Sequence, residues 1–421
     1  MNRYLKILLL LLGLCSSYSY SQITLEQSRE DARKNYPLIK QYNILEQLEE
    51  FNLSNASKGY FPQITVTGKA SYQSEVIQIP ISFPGFKLES PDKDQYSIVG
   101  EVSQVVWDGG AISAQKDILS STSNVEKKKL EVDLYSLNDR VNQLFFSILL
   151  FDEQLKSNMI LQDELQNNFN RVYAYVQNGV ANQADLDAVR VEQINAKKKE
   201  IELKANKKSF VEMLSVLTGK QITESDSLVA PEVKEDNFTV NKINRPELDL
   251  FNAQKDLFQN QRSTITASNL PKISLFLQGG YGKPGLNMLK NDFSSYYIGG
   301  VRFTWNLSSL YTRSNSLDII ELNQRNVDLQ SETFLFNTDI KLKQQNNEIQ
   351  KIKDFLVQDS EVINLRNNIK KSAEAKYQNG TITITDLLRE INLENLAVTE
   401  KAVHQIQLTL AIYNLLNTTN N

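Results

Sequence analysis

The same order of sequence landmarks occurs twice in this chain, which limits the fold to an architecture built from two similar units. Both copies contain a proline-led helix start, a proline-led strand entry, a tryptophan and an Asn-Gly turn. The pairs are Tyr36-Pro37 and Arg245-Pro246, Tyr60-Phe61-Pro62-Gln63-Ile64-Thr65 and Asn269-Leu270-Pro271-Lys272-Ile273-Ser274, Trp107 and Trp305, and Asn178-Gly179 and Asn379-Gly380, with separations of 209, 209, 198 and 201 residues. We therefore predict a first structural repeat over residues 22–240, with the longer insert, and a second over residues 241–421.

The first 21 residues have the pattern of a secretory signal peptide. Arg3 and Lys6 precede a short apolar run, and the segment ends in small polar residues before Gln22. The run is too short to span a bilayer, so cleavage after residue 21 is expected. An alternative is a lipoprotein leader with Cys15 as the lipidated residue, although Leu14 stands where a small residue is expected. Cys15 is the only cysteine, so removal of the leader leaves no disulfide or thiolate chemistry.

Charge and composition exclude several classes of protein. The formal net charge is −4 and becomes −6 without Arg3 and Lys6, which argues against a nucleic-acid binder driven by positive charge. No phosphate loop, histidine pair or nucleophile–base spacing is present, and His404 is the only histidine. We therefore expect no enzyme activity, no cofactor and no metal site. No apolar stretch beyond the leader reaches the ~20 residues of a transmembrane helix, so a membrane crossing would require β-strands.

Long helices are predicted in both repeats. Between about Gly110 and Tyr173 there is no proline or interior glycine. Within this span, apolar residues from Leu130 to Leu155 recur at alternating spacings of four and three, which is the pattern of coiled-coil helices. A second segment free of proline and glycine runs from about Leu310 to Tyr377. Shorter helices are predicted over Thr24 to Lys58, Gln183 to Leu217, Pro246 to Ser268 and Ile384 to Leu416.

Four short segments between the helices alternate apolar and polar residues, as half-buried or membrane strands do. Aromatic ends and one apolar face suit outer-membrane strands, whereas strands of a soluble sheet are the simpler alternative. Four strands cannot close a wide barrel, so a barrel would need several chains. The inserts Val76 to Asp94 and Gly282 to Ser295 have loop compositions and would be extracellular. The predicted apolar faces are Ile64, Val66, Gly68, Ala70 and Tyr72; Tyr96, Ile98, Gly100 and Val102; Ile273, Leu275, Leu277, Gly279 and Tyr281; and Tyr297, Gly299, Val301, Phe303 and Trp305.

The leader, the duplicated order of helix, strand pair, long helix and helix, and the Tyr-Phe-Pro-Gln-Ile strand entry resemble the TolC family of outer-membrane efflux proteins. The resemblance implies a mainly α fold with a β-barrel contribution. Three chains would form a homotrimer, in which four strands from each make one twelve-stranded barrel in outer-membrane lipid and the helices make a periplasmic α-barrel. It also implies an adaptor (membrane fusion) protein and an inner-membrane pump as partners.

The resemblance further assigns roles to the two helical turns. The tip turns Asn178, Gly179, Val180, Asn379, Gly380 and Thr381 would contact the adaptor, although plain turn chemistry explains their glycines equally well. Asp185 and Asp386, each six residues after a turn glycine, would form a negative ring at the pore entrance, with helix-start capping as the alternative. Tyr377 matches the family's latch tyrosine. Arg389 and Ile382 depart from its latch pattern, and Arg389 could pair with a neighbouring carboxylate instead.

Two functional hypotheses follow from the sequence. The first is a passive outer-membrane channel, the exit duct of a tripartite efflux or type I secretion system. The second is a structural or adhesive periplasmic coiled-coil protein without a pore. The four amphipathic strands favour the duct, because a coiled-coil spacer does not need them.

Overall fold

The computed structural model describes residues 23–77, 91–232 and 242–420, so the predicted leader and Cys15 lie outside the described residues. The helices are α1 (Leu25–Asn35), α2 (Gln41–Ser57), α3 (Ala111–Tyr135), α4 (Leu137–Gln177), α5 (Gln183–Thr218), α6 (Pro246–Ser268), α7 (Leu310–Gln378) and α8 (Ile384–Thr419). The strands are β1 (Gln63–Tyr72), β2 (Asp94–Trp107), β3 (Lys272–Lys283) and β4 (Ser294–Thr304). Short 3-10 turns occupy Pro37–Lys40, Lys58–Tyr60 and Leu307–Ser309.

A mostly helical chain with one small antiparallel sheet confirms the predicted fold class. The predicted helix over Thr24 to Lys58 is divided, because Pro37 has no N–H to donate and disfavours the helical conformation of the residue before it. Tyr36 accordingly adopts extended backbone angles, with φ −63° and ψ 124°. Within the described residues, none of the helices has an apolar stretch long enough to cross a bilayer.

The first predicted long helix is interrupted at a single residue, Ser136. Its hydroxyl donates to the carbonyl of Asp133 at 2.7 Å, while its backbone N–H still bonds to Val132 at 3.2 Å. A serine that bonds back to the preceding turn competes with the helix ladder and bends it locally. The heptad pattern therefore predicts both helices and misses the boundary between α3 and α4.

The sheet has the strand order β1-β2-β3-β4, with every neighbouring pair antiparallel. Residues directly opposite one another lie on the same face. The pairings Ile64↔Val102, Val102↔Leu277 and Leu275↔Val301 therefore bring the predicted apolar positions onto one face. The hairpins are longer than predicted, since β2 begins at Asp94 and β4 at Ser294. Residues 78–90 of the first insert lie outside the described part.

The chain forms two compact units. Among the described residues, the first contains 23–39, 132–232, 242–245 and 334–420, and the second contains 40–77, 91–131 and 246–333. Each unit thus draws segments from both predicted repeats. The sheet belongs to the second unit together with α2, α6 and most of α3.

The first unit has three separate apolar clusters. One packs α1, α4 and α5 around Phe145 and Phe146, which are both fully buried, and a second lies near the two helical turns. The third joins α7 to α8 through Leu342, Ile349, Ile412 and Leu415. Ion pairs between helices add to these apolar contacts.

Glu200 on α5 is bonded to two lysines of its own helix and to one residue of α4. Its carboxylate accepts from the ammonium groups of Lys197 at 2.8 Å and Lys204 at 2.6 Å, and from the amide of Gln162 on α4 at 3.0 Å. These donors lower the pKa of Glu200 to about 2. The carboxylate therefore stays charged through the physiological pH range and ties α5 to α4.

Candidate functional site

The first helical turn closes α4 with two backbone hydrogen bonds. The N–H of Gly179 donates to the carbonyl of Val176 at 3.0 Å, and the N–H of Val180 donates to Tyr175 at 2.8 Å. This pair of bonds is a Schellman motif, which requires a left-handed residue after the helix. Gly179 supplies it with φ +69°.

The second turn closes α7 in the same way. Gly380 donates to Tyr377 at 3.0 Å, and Thr381 donates to Lys376 at 3.0 Å, with φ +68° at Gly380. A Cβ added at either turn glycine would meet no atom within 4 Å. Backbone conformation, and not lack of space, is therefore what favours glycine at the two turns.

Asparagine completes both turns. The side-chain amides of Asn178 and Asn379 donate to the carbonyls four residues earlier, at 2.7 and 2.8 Å. All six predicted tip residues are exposed, and Val180 is the most apolar of them, with 74% of its surface accessible. Their backbone polar groups are largely satisfied within the turns, so their outer surfaces are free to contact another molecule.

Asp185 lies in the first turn of α5 and is part of a capping box. Its backbone N–H donates to the side chain of Asn182 at 2.9 Å, and its carboxylate accepts from the backbone N–H of Asn182 at 3.0 Å. Two amides that a helix start would otherwise leave unbonded are satisfied by this exchange. Asp185 therefore has the capping role that the sequence offered as the alternative to a pore-entrance role.

Asp386 lies in the first turn of α8 and is part of an equivalent capping box. Thr383 bonds to its carboxylate through both its hydroxyl, at 2.7 Å, and its backbone N–H, at 3.2 Å. These bonds, with a smaller contribution from the nearby Arg389, lower the pKa of Asp386. The carboxylate is therefore negatively charged at neutral pH whether or not it faces a pore.

Arg389 pairs with the residue next to it. Its Nε and Nη2 donate to Oε1 of Glu390 at 3.2 and 3.1 Å, and the arginine remains 67% exposed. Glu390 also approaches Arg366 of α7, with Oε2 3.5 Å from Nη1. Arg389 thus makes the carboxylate pairing that the sequence suggested in place of the family's latch.

Tyr377 lies against Tyr175, so the two turns are in contact through their aromatic rings. The ring centroids are 6.2 Å apart. Burial, followed by the negative charge of Asp185, raises the pKa of Tyr377, which keeps the phenol protonated and able to donate. The structure thus brings Tyr377 close to Asp185, and Tyr175 is a member of this group that the sequence did not single out.

Beneath the turns, a buried apolar cluster joins four helices. Leu165 and Val172 of α4 pack with side chains of α5, α7 and α8, of which Leu387 and Ile391 are fully buried. Burying such side chains contributes roughly 1.5–3 kcal/mol each. The cluster holds the ends of the four helices together, so the two turns form one rigid surface.

Cross-helix ion pairs near this cluster were not anticipated. On α7, Arg366 and Lys370 are four residues apart, and they meet Glu390 and Glu394, which are also four residues apart, on α8. Lys370 additionally contacts Glu164 of α4 at 3.2 Å. The sequence contains this matching spacing of two cations and two anions. The spacing predicts ion pairs only when α7 and α8 are known to lie side by side.

The apolar face of the sheet is unusually exposed. Val66 is 68% exposed, Leu277 58% and Val301 66%, and the other large side chains on this face are similarly uncovered. The opposite face carries threonine, serine, glutamine and a few charged residues. A face of this composition is energetically costly in water, so it must contact lipid or another protein surface.

The family model of outer membrane efflux proteins matches residues 29–220. Among solved structures, the outer-membrane channel OprN is 13% identical over 94% of this chain and 89% of its own, with a TM-score of 0.69. The Vibrio cholerae outer membrane protein VceC is 12% identical, over 94% of this chain and 96% of its own, with a TM-score of 0.67. The Campylobacter jejuni outer membrane channel CmeC is 15% identical, over 94% and 85%, with a TM-score of 0.65.

At these identities the solved structures establish the shared fold, which extends over nearly the whole described chain. No curated protein matches the chain by sequence. The resemblance seen in the sequence is confirmed by the family match and by this fold. Residues 29–220 thus match the family of outer membrane efflux proteins, and nearly the whole chain has the fold of solved outer-membrane channels.

Proposed function

We propose that this protein is the outer-membrane channel of a tripartite efflux or type I secretion system. Three chains would associate, each contributing its four strands to one twelve-stranded barrel in outer-membrane lipid and its helices to a tunnel in the periplasm. The channel is passive, since nothing in the sequence predicts a nucleotide or cofactor site. Energy and substrate choice come from an inner-membrane pump, coupled through a periplasmic adaptor.

The exposed apolar face of the sheet is the observation that carries this proposal. Strands of 10 to 14 residues, apolar on one side, match the length and pattern of outer-membrane strands. In the described sheet β1 and β4 each pair on one side only. Edge strands with free backbone groups favour pairing with neighbouring chains. Association of three sheets edge to edge would satisfy both edges and leave the apolar face to lipid.

The turn surface supports the second part of the proposal. Six exposed tip residues lie on turns whose own hydrogen bonds are complete, above a fully packed cluster. A rigid surface of this kind suits contact with an adaptor, because little side-chain or backbone order is lost on binding. The carboxylates of Asp185 and Asp386 lie in the first turns of the two helices that follow these turns, and threefold repetition would make them a cation-favouring ring.

Cysteine substitutions on alternate residues of β1 test the channel. The one cysteine of the sequence, Cys15, lies in the predicted leader, so Val66→Cys and Thr67→Cys each introduce one thiol into the strands. The two side chains lie on opposite faces of the same strand, and both are exposed. In a planar bilayer, a membrane-impermeant thiol reagent should reduce the current of the Thr67→Cys channel. The Val66→Cys channel, whose thiol would face lipid, is the matched control and should be unaffected.

The same preparation discriminates between the two hypotheses. We expect protein extracted from outer membranes to have the mass of a trimer in detergent and to give discrete openings. A monomer without conductance would contradict the channel and favour a structural or adhesive coiled-coil protein. Equal block of both cysteine variants would contradict the assignment of the two faces.

A further inference from the structure

The polar face of the sheet has an excess of positive charge. Register pairing assigns four charged residues to this face, namely Lys69 on β1, Glu101 on β2, Lys272 on β3 and Arg302 on β4. Three of them are cationic and one is anionic. The remaining residues on this face are mostly small or uncharged, so the face has a formal excess of two positive charges in each chain.

One cation and the one anion neutralise each other. Nη1 and Nη2 of Arg302 donate to the two carboxylate oxygens of Glu101 at 2.7 and 3.2 Å, across the intervening strand. The guanidinium also lies over the ring of Phe276, with 4.7 Å from Cζ to the centroid. A bidentate pair stacked on an aromatic ring is held in a fixed geometry. Glu101 is therefore not available to neutralise any other cation.

Lys69 and Lys272 retain their charges uncompensated. Among the described residues neither ammonium group has an ion-pair partner, and both side chains are exposed. The cross-strand neighbour of Lys69 is Ser97, and that of Lys272 is Thr304, neither of which carries charge. Lys69 is four residues further along β1 than Thr65, the partner of Glu101, which is about 13 Å at the usual strand rise.

We propose that Lys69 and Lys272, which the register places near opposite ends of the sheet, make its polar face an anion-favouring lining, so that the channel passes negatively charged cargo in preference to cations along the sheet. The inference rests on the proposed channel, in which the apolar face contacts lipid and the polar face lines the lumen. Three chains would then contribute six uncompensated positive charges. The proposed cargo class is an organic anion, such as a carboxylate or a sulfonate.

The lining would favour anions through its positive electrostatic potential, without a tight binding site. Uncompensated charges in a narrow passage with low-dielectric walls raise the local concentration of the opposite ion. Rings of lysine or arginine are the usual means by which a pore favours anions. Because the carboxylates after the turns have the opposite sign, this lining and the predicted entrance ring would select differently, and the measured selectivity is the net of the two.

Ion selectivity in a salt gradient tests the lining. We expect Lys69→Gln to shift the reversal potential toward cation preference, Lys69→Glu to shift it further, and Lys272→Gln to shift it in the same direction. Lys290→Gln is the matched control, because Lys290 is exposed in the β3–β4 loop outside the sheet. It should leave the reversal potential near that of the wild-type channel.

A tetravalent or divalent organic anion added to one side provides a second measurement. It should shorten or block openings of the wild-type channel more than those of the Lys69→Gln channel. An organic cation should do the opposite and block the Lys69→Gln channel more than the wild-type channel. Conducting trimers whose reversal potential is the same in all Lys69 and Lys272 variants would overturn the lining while leaving the channel intact. A wild-type protein that never conducts would instead refute the proposed function, and the lining with it.

Discussion

Replacing Lys370 by methionine should destabilise the first unit more than any replacement of an exposed lysine. The ammonium group of Lys370 lies 3.2 Å from carboxylates of both Glu164 and Glu394, and the three side chains are only 15%, 22% and 17% exposed. Burial lowers the pKa of Lys370 and the two carboxylates raise it, and the net effect is a raised pKa. The charge is therefore present in the folded protein at every pH below the lysine's ordinary range.

The expected loss of stability in Lys370→Met follows from the contacts that the substitution leaves behind. Methionine retains the aliphatic packing but leaves two half-buried carboxylates without their shared cation. Removing one partner of a fully buried ion pair costs about 3–5 kcal/mol, whereas exposed pairs contribute about 0–1 kcal/mol. At the burial of Lys370 we expect about 2–3 kcal/mol. In a unit of this size that corresponds to a fall in the melting temperature of roughly 5–10 °C.

Thermal unfolding of detergent-solubilised protein, followed by circular dichroism at neutral pH, measures this effect. The control is Lys343→Met, because Lys343 pairs with Asp339 at 2.9 Å but is 75% exposed, and it should change stability little. Combining Lys370→Met with Glu164→Gln and Glu394→Gln removes the uncompensated charges and should recover most of the loss. The reasoning is refuted if Lys370→Met has the same melting temperature as the Lys343→Met control, or if the triple variant is no more stable than Lys370→Met alone.

Three further predictions concern the turns, the α4–α5 contact and the pore entrance. Gly380→Ala puts a residue with a Cβ at a left-handed backbone position, so it should lower the stability by about 1–2 kcal/mol in the same melting assay. The control is Gly68→Ala, which should not have this strain penalty because Gly68 has no positive φ and an added Cβ there would meet no atom within 4 Å. Because the pKa of Glu200 is lowered to about 2, the stability that its carboxylate contributes is complete above its unfolded pKa and is lost as the pH falls toward 2. Glu200→Gln should therefore have a lower melting temperature than wild type at pH 7, and the two melting temperatures should converge near pH 2. Asp386→Asn should weaken cation preference in single-channel recordings, and unchanged selectivity would count against a pore-facing ring.

Local backbone chemistry made much of this fold predictable. The strands β1 and β3 begin directly after Pro62 and Pro271, and the left-handed turns occur at Gly179 and Gly380, as the repeated landmarks indicated. Proline and glycine restrict or permit particular backbone angles whatever the rest of the chain does. The alternation within each strand likewise depends only on the strand period.

Features that depend on how helices rotate against one another were not predictable from the sequence. The ion pairs of Arg366 and Lys370 required knowing that α7 lies beside α8, and the contact between Tyr175 and Tyr377 required knowing that the two turns meet. The role of Asp386 is a different case. Its capping box could be read from Thr383 three residues earlier, but a helix start and a pore-facing ring use the same residue, so sequence spacing cannot separate them.

The discontinuous first unit has a consequence for how the protein is made. Its main apolar cluster packs Leu25, near the start of the described chain, with Phe145 and with Leu410 and Tyr413 of the last helix. The ribosome synthesises α8 long after α1 and α4, so the apolar side chains of this cluster stay partly unpacked until α8 is available. Contacts between residues far apart in the sequence slow folding, and they leave folding intermediates with exposed apolar surface that are prone to aggregate. Passage to the membrane should therefore depend on chaperones that hold the unfinished chain.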